Sequence, residues 1–197
     1  AEVAAVLPLV GHHNLESRRE PPALRKQVPG LQVDLSSIAK GWAVDEISAL
    51  LRRHGVTRSL VEIGGEVYAS RDKAPGRPWR VAIERPSYAS RAVQHVVALE
   101  DRAMATSGDY RNFFPAGGRR YSHTIDPRTG QAMQHGLASV TVIAQNCTDA
   151  DAWATALMAL GEGRARLTAE REGLMALLIV RTDDGFREFV SPRLADS

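Results

Sequence analysis

The sequence lacks several features that would have assigned it to a class at once. Its 197 residues include a single cysteine, Cys147, so no disulfide can form within the chain and a small buried thiol is expected. No run of about 18 apolar residues occurs, which argues against a membrane-spanning helix. The first ten residues carry no basic leader and are not typical of a signal peptide.

Positive and negative residues are nearly balanced. The chain has 25 lysines and arginines against 23 acidic residues, and the basic residues form no long run. Proteins that track the phosphates of a nucleic acid need such a basic surface. A nucleic-acid partner is therefore not expected.

The composition is that of an ordinary globular protein, with 44% hydrophobic and 24% charged residues. No internal repeat, low-complexity tract or clear linker divides the chain. The length suits one hydrophobic core, so the sequence predicts a single domain over residues 1–197.

Apolar periodicity predicts an α+β fold, a mainly antiparallel sheet with packed helices. A strand over 31–34 leads into a helix with Ser36 and Ser37 as candidate N-caps, ending at Gly55. The apolar face of that helix is predicted to carry Ile38, Trp42, Ile47 and Leu51. Strands are predicted over 58–70, 79–85 and 95–101, a turn into a short helix over 103–114, and a strand over 137–145. A helix over 148–160, ending at Gly161, precedes a more polar helix and two final strands.

The most specific polar cluster is "TDADAWATAL". Asp151 and Thr155 are four residues apart, so they project from one helix face a turn apart. A carboxylate plus a hydroxyl suits Mg²⁺ shared with substrate phosphates better than it suits zinc. The alternative is a capping box formed by Thr148 and Asp151, with no metal. The spacing alone leaves both open.

The second cluster is "VDLSSIAKG", where Asp34 ends the predicted strand and Lys40 lies in the first turns of the next helix. A helix N-terminus suits a phosphate or carboxylate, although an ordinary strand-to-helix junction has the same pattern. Gly64 and Gly65 permit either a bulge or the close approach of a flat ligand.

Two further stretches complete the candidates. "ATSGDY" places Thr106 and Ser107 before a glycine but lacks the spacing of a hydrolase nucleophile. In "YSHTIDPRTG", His123 could exchange a proton near neutral pH, whereas Asp126 and the residues after it are good turn chemistry. Composition alone favours the turn.

Taken in order, these motifs resemble the ApbE family of flavin transferases. The segments that carry the resemblance are "VDLSSIAKGWAVD", "VEIGGEVYAS", "WRVAIERP", "AMATSGDY", "YSHTIDPRTG", "ASVTVIA" and "DADAWATALMALG", within about residues 7 to 180. The resemblance implies an enzyme that binds FAD and Mg²⁺ and transfers FMN from FAD to a threonine of an acceptor protein, releasing AMP. Some members instead hydrolyse FAD to FMN and AMP.

The resemblance also implies roles for individual residues. Asp151 and Thr155 match positions that bind Mg²⁺ by side-chain oxygens, and Ser37 matches one that contributes a main-chain carbonyl. His123 matches a histidine beside the pyrophosphate and is the candidate base for the incoming threonine. The positions expected to bind FAD are Asp34, Lys40, Gly64, Gly65, Thr106, Ser107 and Ile125.

Family members are usually about a hundred residues longer at the N-terminus. The resemblance therefore leads us to expect an N-terminally truncated transferase domain, with weak FAD binding and a tendency to self-associate. A bacterial envelope or periplasmic location, as a lipoprotein, is implied by the family. A non-catalytic flavin-binding or partner-docking protein and an FAD pyrophosphatase remain the alternatives.

Overall fold

The computed structural model describes residues 2–86, 92–108, 113–116, 119–122, 125–126, 129–133 and 135–197. The α-helices are α1 (Glu2–Val6), α2 (Ala39–Arg53), α3 (Cys147–Leu160), α4 (Glu162–Arg171) and α5 (Pro192–Ala195). The strands are β1 (Leu15–Arg18), β2 (Ala23–Lys26), β3 (Ser59–Ile63), β4 (Glu66–Ser70), β5 (Trp79–Glu84), β6 (Val93–Leu99), β7 (Arg102–Gly108), β8 (Phe113–Ala116), β9 (Arg119–Ser122), β10 (Ile125–Asp126), β11 (Gln131–Ala132), β12 (Leu137–Ala144), β13 (Met175–Thr182) and β14 (Gly185–Val190).

The chain separates into two compact units. The smaller unit comprises Ala1–Asp34 and Phe114–Gln134, and the larger comprises Leu35–Phe113 and His135–Ser197. The single domain over 1–197 stays a prediction, and each unit is described by itself.

The smaller unit is built from short elements. It contains α1, two 3-10 turns over Leu7–Leu9 and His12–Asn14, and three strand pairs, β1–β2, β8–β9 and β10–β11, of which the first and the last are antiparallel hairpins. In the β10–β11 hairpin, the amides of Thr129 and Gly130 donate to the carbonyl of Asp126. The φ of Gly130 is 66°, a value that glycine adopts without strain. The described part of "YSHTIDPRTG" therefore includes the turn that its composition predicts.

The larger unit has three layers. Its central sheet has six strands in the order β14-β13-β12-β7-β4-β3, and every neighbouring pair is antiparallel. Helices α2, α3 and α4 pack on one face, where Val44, Ala154 and Ala165 meet Val140 and Val142. The β5–β6 hairpin covers the other face. The predicted α+β class with a mainly antiparallel sheet is confirmed.

The central strand β12 explains why the sheet is covered on both sides. Its first seven residues are all buried, so both faces of the strand need apolar partners. Along β7, the helix-facing residues are Ala103 and Ala105, whereas Met104 faces the hairpin layer. Small residues on the helix side allow α3 to lie close to the sheet.

Helix α2 packs only partly as predicted, because Leu51 lies against the core whereas two other predicted core residues are exposed. The helix is present, but Trp42 and Ile47 are 58% and 41% exposed, and its buried residues are Gly41, Val44 and Ser48. The N-cap is Ile38, which makes no side-chain capping bond, so neither predicted serine is the cap. The helix lies with its glycine face inward because α3 approaches it too closely for larger side chains at that contact.

Three other segments complete the comparison with the sequence pattern. Residues 31–34 form no strand, so that prediction is wrong. The predicted turn and short helix over 103–114 is also wrong, because 102–108 form strand β7 between β12 and β4. Helix α3 ends at Leu160 before Gly161, as predicted. In the part of the chain that the structure describes, no helix has the length and apolar character to cross a membrane.

Candidate functional site

The site is built at the junction of α2 and α3. The carboxylate of Asp151, on the second turn of α3, is 3% exposed, and its Oδ2 accepts a hydrogen bond of 3.0 Å from the amide of Gly41. Gly41 is the third residue of α2, where backbone amides still lack helical partners. Asp151 therefore caps α2 from another helix.

Gly41 is required for this approach. A Cβ at that position would lie 2.3 Å from the carbonyl oxygen of Cys147 and 2.9 Å from the Cβ of Asp151. These contacts are shorter than van der Waals separations, and two of the three nearest atoms belong to backbone that cannot rotate away. Only glycine lets the first turns of the two helices meet in this way.

The bond to Asp151 also changes the surroundings of Ser37. In a continued helix the amide of Gly41 would donate to the carbonyl of Ser37, four residues earlier. Here that amide donates to Asp151 instead, and no residue in the described ranges donates to the Ser37 carbonyl. The carbonyl keeps its lone pairs for another partner.

A hydroxyl pair joins α3 to the sheet next to this junction. The Oγ of Ser107 on β7 lies 3.1 Å from Oγ1 of Thr155, one turn after Asp151. Thr106 points to the opposite face of the sheet, where its hydroxyl lies 2.8 Å from that of Thr141. Ser107 therefore adjoins the predicted metal ligands, whereas Thr106 lies on the other side of the strand.

The N-terminus of α3 is held by groups that the sequence motifs did not single out. Its N-cap is Asn146, whose Oδ1 accepts from the amide of Asp149 at 2.7 Å. The two oxygens of Asp45 on α2 accept from the amides of Cys147 and Thr148, each at 2.8 Å. Asn146 and Asp149 also bond to each other through their side chains, and the alternative capping box of Thr148 with Asp151 is wrong because Asn146 is the N-cap.

Lys40, the neighbour of Gly41 on α2, connects the junction of the two helices to the sheet. Its ammonium lies 2.6 Å from Oε2 of Glu66, a carboxylate at the start of β4 that is 1% exposed. Gly64 and Gly65 form the two-residue turn between β3 and β4, with φ of 63° and 105°. Two positive φ values are what a type I′ hairpin requires, so these glycines make a turn rather than a bulge.

The electrostatics of the junction follow from burial. Burial raises the pKa of the Glu66 carboxyl, and the ammonium of Lys40 opposes that rise. Burial likewise raises the pKa of Asp151, opposed by the Gly41 amide and by Lys40. Two buried acids with one half-exposed lysine between them favour the arrival of another positive charge.

The remaining predicted residues lie in the smaller unit or outside the described residues. Asp34 is exposed and lines a cavity of about 550 Å³ whose walls are mostly apolar, among them Val6, Leu9 and Leu31. Ile125 opens β10 and is 52% exposed. His123 lies outside the residues that the structure describes, so its assignment stays a prediction.

The donor set at the α2–α3 junction fits a hard cation. Asp151, Thr155 and the Ser37 carbonyl offer oxygen only, the ligand type that Mg²⁺ takes. Within the described ranges, no group of three His, Cys, Asp or Glu residues could hold a metal ion. Three protein oxygens would leave half of an octahedral shell for water or substrate phosphate, the usual arrangement for Mg²⁺.

Comparison with known proteins gives the family. The sequence profile of the ApbE family matches residues 1–178. The chain belongs to the ApbE family. It is 49% identical over 168 residues to a protein named FAD:protein FMN transferase from Vibrio cholerae, a match that covers 85% of this chain and 50% of the relative. A relative of the same name from Escherichia coli K12 is 43% identical over 170 residues, 86% of this chain and 48% of the relative.

Solved structures agree with this assignment. The flavin transferase ApbE from Vibrio cholerae superposes with a TM-score of 0.87 at 43% identity, covering 99% of this chain and 61% of that one. The apo flavinyl transferase ApbE from Pseudomonas stutzeri gives a TM-score of 0.86 at 42% identity, covering 98% and 59%. The chain spans about half the length of the curated relatives it matches. The ApbE-like fold predicted from the motifs is confirmed.

Proposed function

We propose that this chain carries the metal-binding and pyrophosphate-binding part of an FAD:protein FMN transferase. ApbE family membership and the name that the relatives share support this activity. The single observation that carries the proposal is the buried carboxylate of Asp151, which is held at the start of α2 by the Gly41 amide. There the Gly41 amide is bonded to Asp151 and not to Ser37.

Three groups would hold the metal in this proposal. Asp151 supplies a carboxylate oxygen, Thr155 its hydroxyl and Ser37 its main-chain carbonyl. A hydroxyl that binds a cation through oxygen must donate its proton elsewhere, and Ser107, 3.1 Å from Oγ1 of Thr155, is placed to accept it. When bound, Mg²⁺ would neutralise charge on the FAD pyrophosphate and make AMP a better leaving group.

The remaining residues act on the substrate. Lys40, whose ammonium is paired with Glu66 at the start of α2, would supply positive charge to bind the anionic pyrophosphate. His123 takes the proton of the acceptor threonine as its oxygen attacks the FMN phosphorus. The new bond joins that oxygen to FMN, the phosphoanhydride bond breaks, and AMP leaves. Asp34, Gly64, Gly65 and Ile125 are each proposed to contact FAD, and the predicted contact of Thr106 stays a prediction.

The partner in this reaction is a protein that carries the target threonine. The bacterial envelope is the proposed location, as the family resemblance implies. Self-association through apolar surface, for example the exposed Trp42 and Ile47 on α2, is part of the same proposal.

The test uses the full-length gene product with FAD, MgCl₂ and a threonine-bearing acceptor peptide, followed by mass spectrometry. The transferase adds the mass of FMN to the peptide and releases an equal amount of AMP. A peptide with valine in place of the threonine is the matched control. FMN and AMP without labelled peptide would identify an FAD pyrophosphatase, and no product at all would leave a flavin-binding or docking protein.

A further inference from the structure

Asp45 is a charged residue that the proposed reaction does not use, yet it makes more bonds to the site than any group named so far. Its Oδ1 accepts from the amide of Cys147 at 2.8 Å. Its Oδ2 accepts from the amide of Thr148 at 2.8 Å and from the Thr148 hydroxyl at 2.6 Å. Both oxygens are thus bonded to the first two residues of α3.

These bonds fix the first turn of α3, the helix that carries the proposed metal ligands. Asp151 follows Thr148 by three residues, about 4.5 Å along the helix axis, and Thr155 follows one turn later. A rotation or shift of the first turn of α3 would be transmitted to both ligands, because a short helix moves as one body. Asp45 fixes that turn at two successive amides, which restricts rotation as well as translation.

Asp151 links the same two helices in the opposite sense, because it lies on α3 and accepts a hydrogen bond from α2. The bond from the Gly41 amide to Asp151 and the three bonds to Asp45 join the same two helices one turn apart along α2. Between them, Gly41 brings the helices into backbone contact. The arrangement sets the distance from Asp151 to the Ser37 carbonyl, which lies four residues before Gly41.

We propose that Asp45 is a positioning residue for the metal site, which holds α3 so that Asp151 and Thr155 face the Ser37 carbonyl. This inference rests on the proposed function, because it assigns the ligands that Asp45 positions. Partners that orient metal ligands typically alter metal affinity or activity by about 10- to 100-fold when they are replaced. A residue that only caps a helix would alter stability and leave metal affinity unchanged.

The experiment measures Mg²⁺ binding and turnover separately in the full-length gene product. Calorimetric titration of MgCl₂ into the FAD-saturated protein gives the affinity, and initial rates of FMN transfer give kcat and the Mg²⁺ concentration at half-maximal rate. Asp45→Asn keeps the size of the side chain but turns an NH₂ group toward one of the α3 amides. We expect Mg²⁺ to bind about tenfold more weakly, with kcat at saturating Mg²⁺ changed by less than about threefold.

Ser191→Ala provides a control matched for stability. Ser191 is buried, and its hydroxyl accepts from the amide of Ala176 and donates to the carbonyl of Leu174, so none of these partners lies on α2 or α3. The variant should lose thermal stability while binding Mg²⁺ as the natural protein does. If Asp45→Asn behaves in the same way, losing stability with unchanged Mg²⁺ affinity, the positioning role is overturned.

Thr148→Val keeps the inference testable if Asp45→Asn fails to fold. It removes only the hydroxyl bond to Asp45, and we expect about a threefold loss of Mg²⁺ affinity, with Thr148→Ser restoring it. Unchanged affinity in Thr148→Val would count against the inference. Failure of the metal assignment itself looks different, because Asp151→Asn would then bind Mg²⁺ as tightly as the natural protein.

Discussion

Asp45 and Asp151 bond two helices to each other reciprocally. The carboxylate of each accepts hydrogen bonds from the N-terminal amides of the helix that carries the other. Asp45 on α2 accepts from Cys147 and Thr148 on α3, and Asp151 on α3 accepts from Gly41 on α2. Free amides at helix N-termini carry partial positive charge, so both carboxylates are stabilised where they lie. These reciprocal hydrogen bonds fix the position of α2 relative to α3, the helix that carries Asp151 and Thr155.

Gly41→Ala tests the closeness of that helix contact. The added Cβ would lie 2.3 Å from the carbonyl oxygen of Cys147, so we expect a loss of about 2 kcal/mol or more in the free energy of unfolding. Gly163→Ala is the control, because a methyl group added to that glycine of α4 would meet no described atom within 4 Å beyond its own chain neighbours and helix backbone. The control change should be neutral or gain about 0.5 kcal/mol. Urea unfolding of both variants measures the difference, and equal stabilities would show that the helices separate without cost.

The Lys40–Glu66 pair makes a second prediction. Lys40→Met removes the cation beside a carboxylate that is 1% exposed, and we expect a loss of about 2 kcal/mol because the lysine itself is half exposed. Glu66→Gln in the same chain should restore most of that loss by removing the unpaired charge.

The pH dependence of this variant follows from the sign of the shift. Burial raises the pKa of Glu66, so its ionised form costs stability in the folded state, and the cost grows as the pH rises through the folded pKa. Without Lys40 the pKa rises further, and the destabilisation of Lys40→Met should be smaller at pH 5 than at pH 8. A loss of equal size at both pH values, or no rescue by Glu66→Gln, would contradict this account of the pair.

Glu188 provides a pH-dependent contact outside the site. Partial burial raises the pKa of its carboxyl, but hydrogen bonds from His95 and Gln94 outweigh burial, and the net pKa is lowered. A lowered folded pKa stabilises the protein above the unfolded pKa, and this contribution disappears as the pH falls through the folded value. Glu188→Gln should therefore cost about 0.5 kcal/mol at neutral pH and nothing in acid, as measured by thermal unfolding across pH. A cost that persists in acid would indicate a packing role instead.

His123→Ala tests the proposed base. Loss of a general base lowers turnover by about 10² or more, so FMN transfer should fall by that factor while FAD affinity changes much less. The pH–rate profile should also lose its acidic limb near pH 6 to 7. A variant that keeps both its rate and that limb would move the base to another group.

The sequence predicted the class of fold and the ends of several elements because those depend on local signals. Helix α3 stops at Gly161, whose φ of 73° suits glycine, and the buried run of β12 is apolar throughout except for Ser139 and Thr141. The candidate ligand pair of Asp151 and Thr155 could be predicted because the spacing of four residues places both on one face of a helix.

What the sequence could not supply depends on contacts between distant segments. In the sequence, Gly41 looks like a residue that only destabilises a helix. Its role depends on the contact with the backbone of Cys147, over a hundred residues later. The exposure of Trp42 has the same origin, because the close helix contact turns the small residues inward. Asp45 and Glu66 lie within two of the segments that carry the family resemblance, but they look like ordinary surface acids until their partners are known.

The most direct test of the account is the Mg²⁺ dependence of FMN transfer in Asp151→Asn, measured on the full-length gene product. The Oδ1 of asparagine can still accept from the Gly41 amide, so the cap on α2 is kept while the metal-binding charge is lost. The account predicts a folded protein with unchanged circular dichroism, no calorimetric Mg²⁺ binding and no transfer at any Mg²⁺ concentration. Transfer at the natural rate with the natural Mg²⁺ requirement would contradict it, and the α2–α3 junction would then be a structural contact alone.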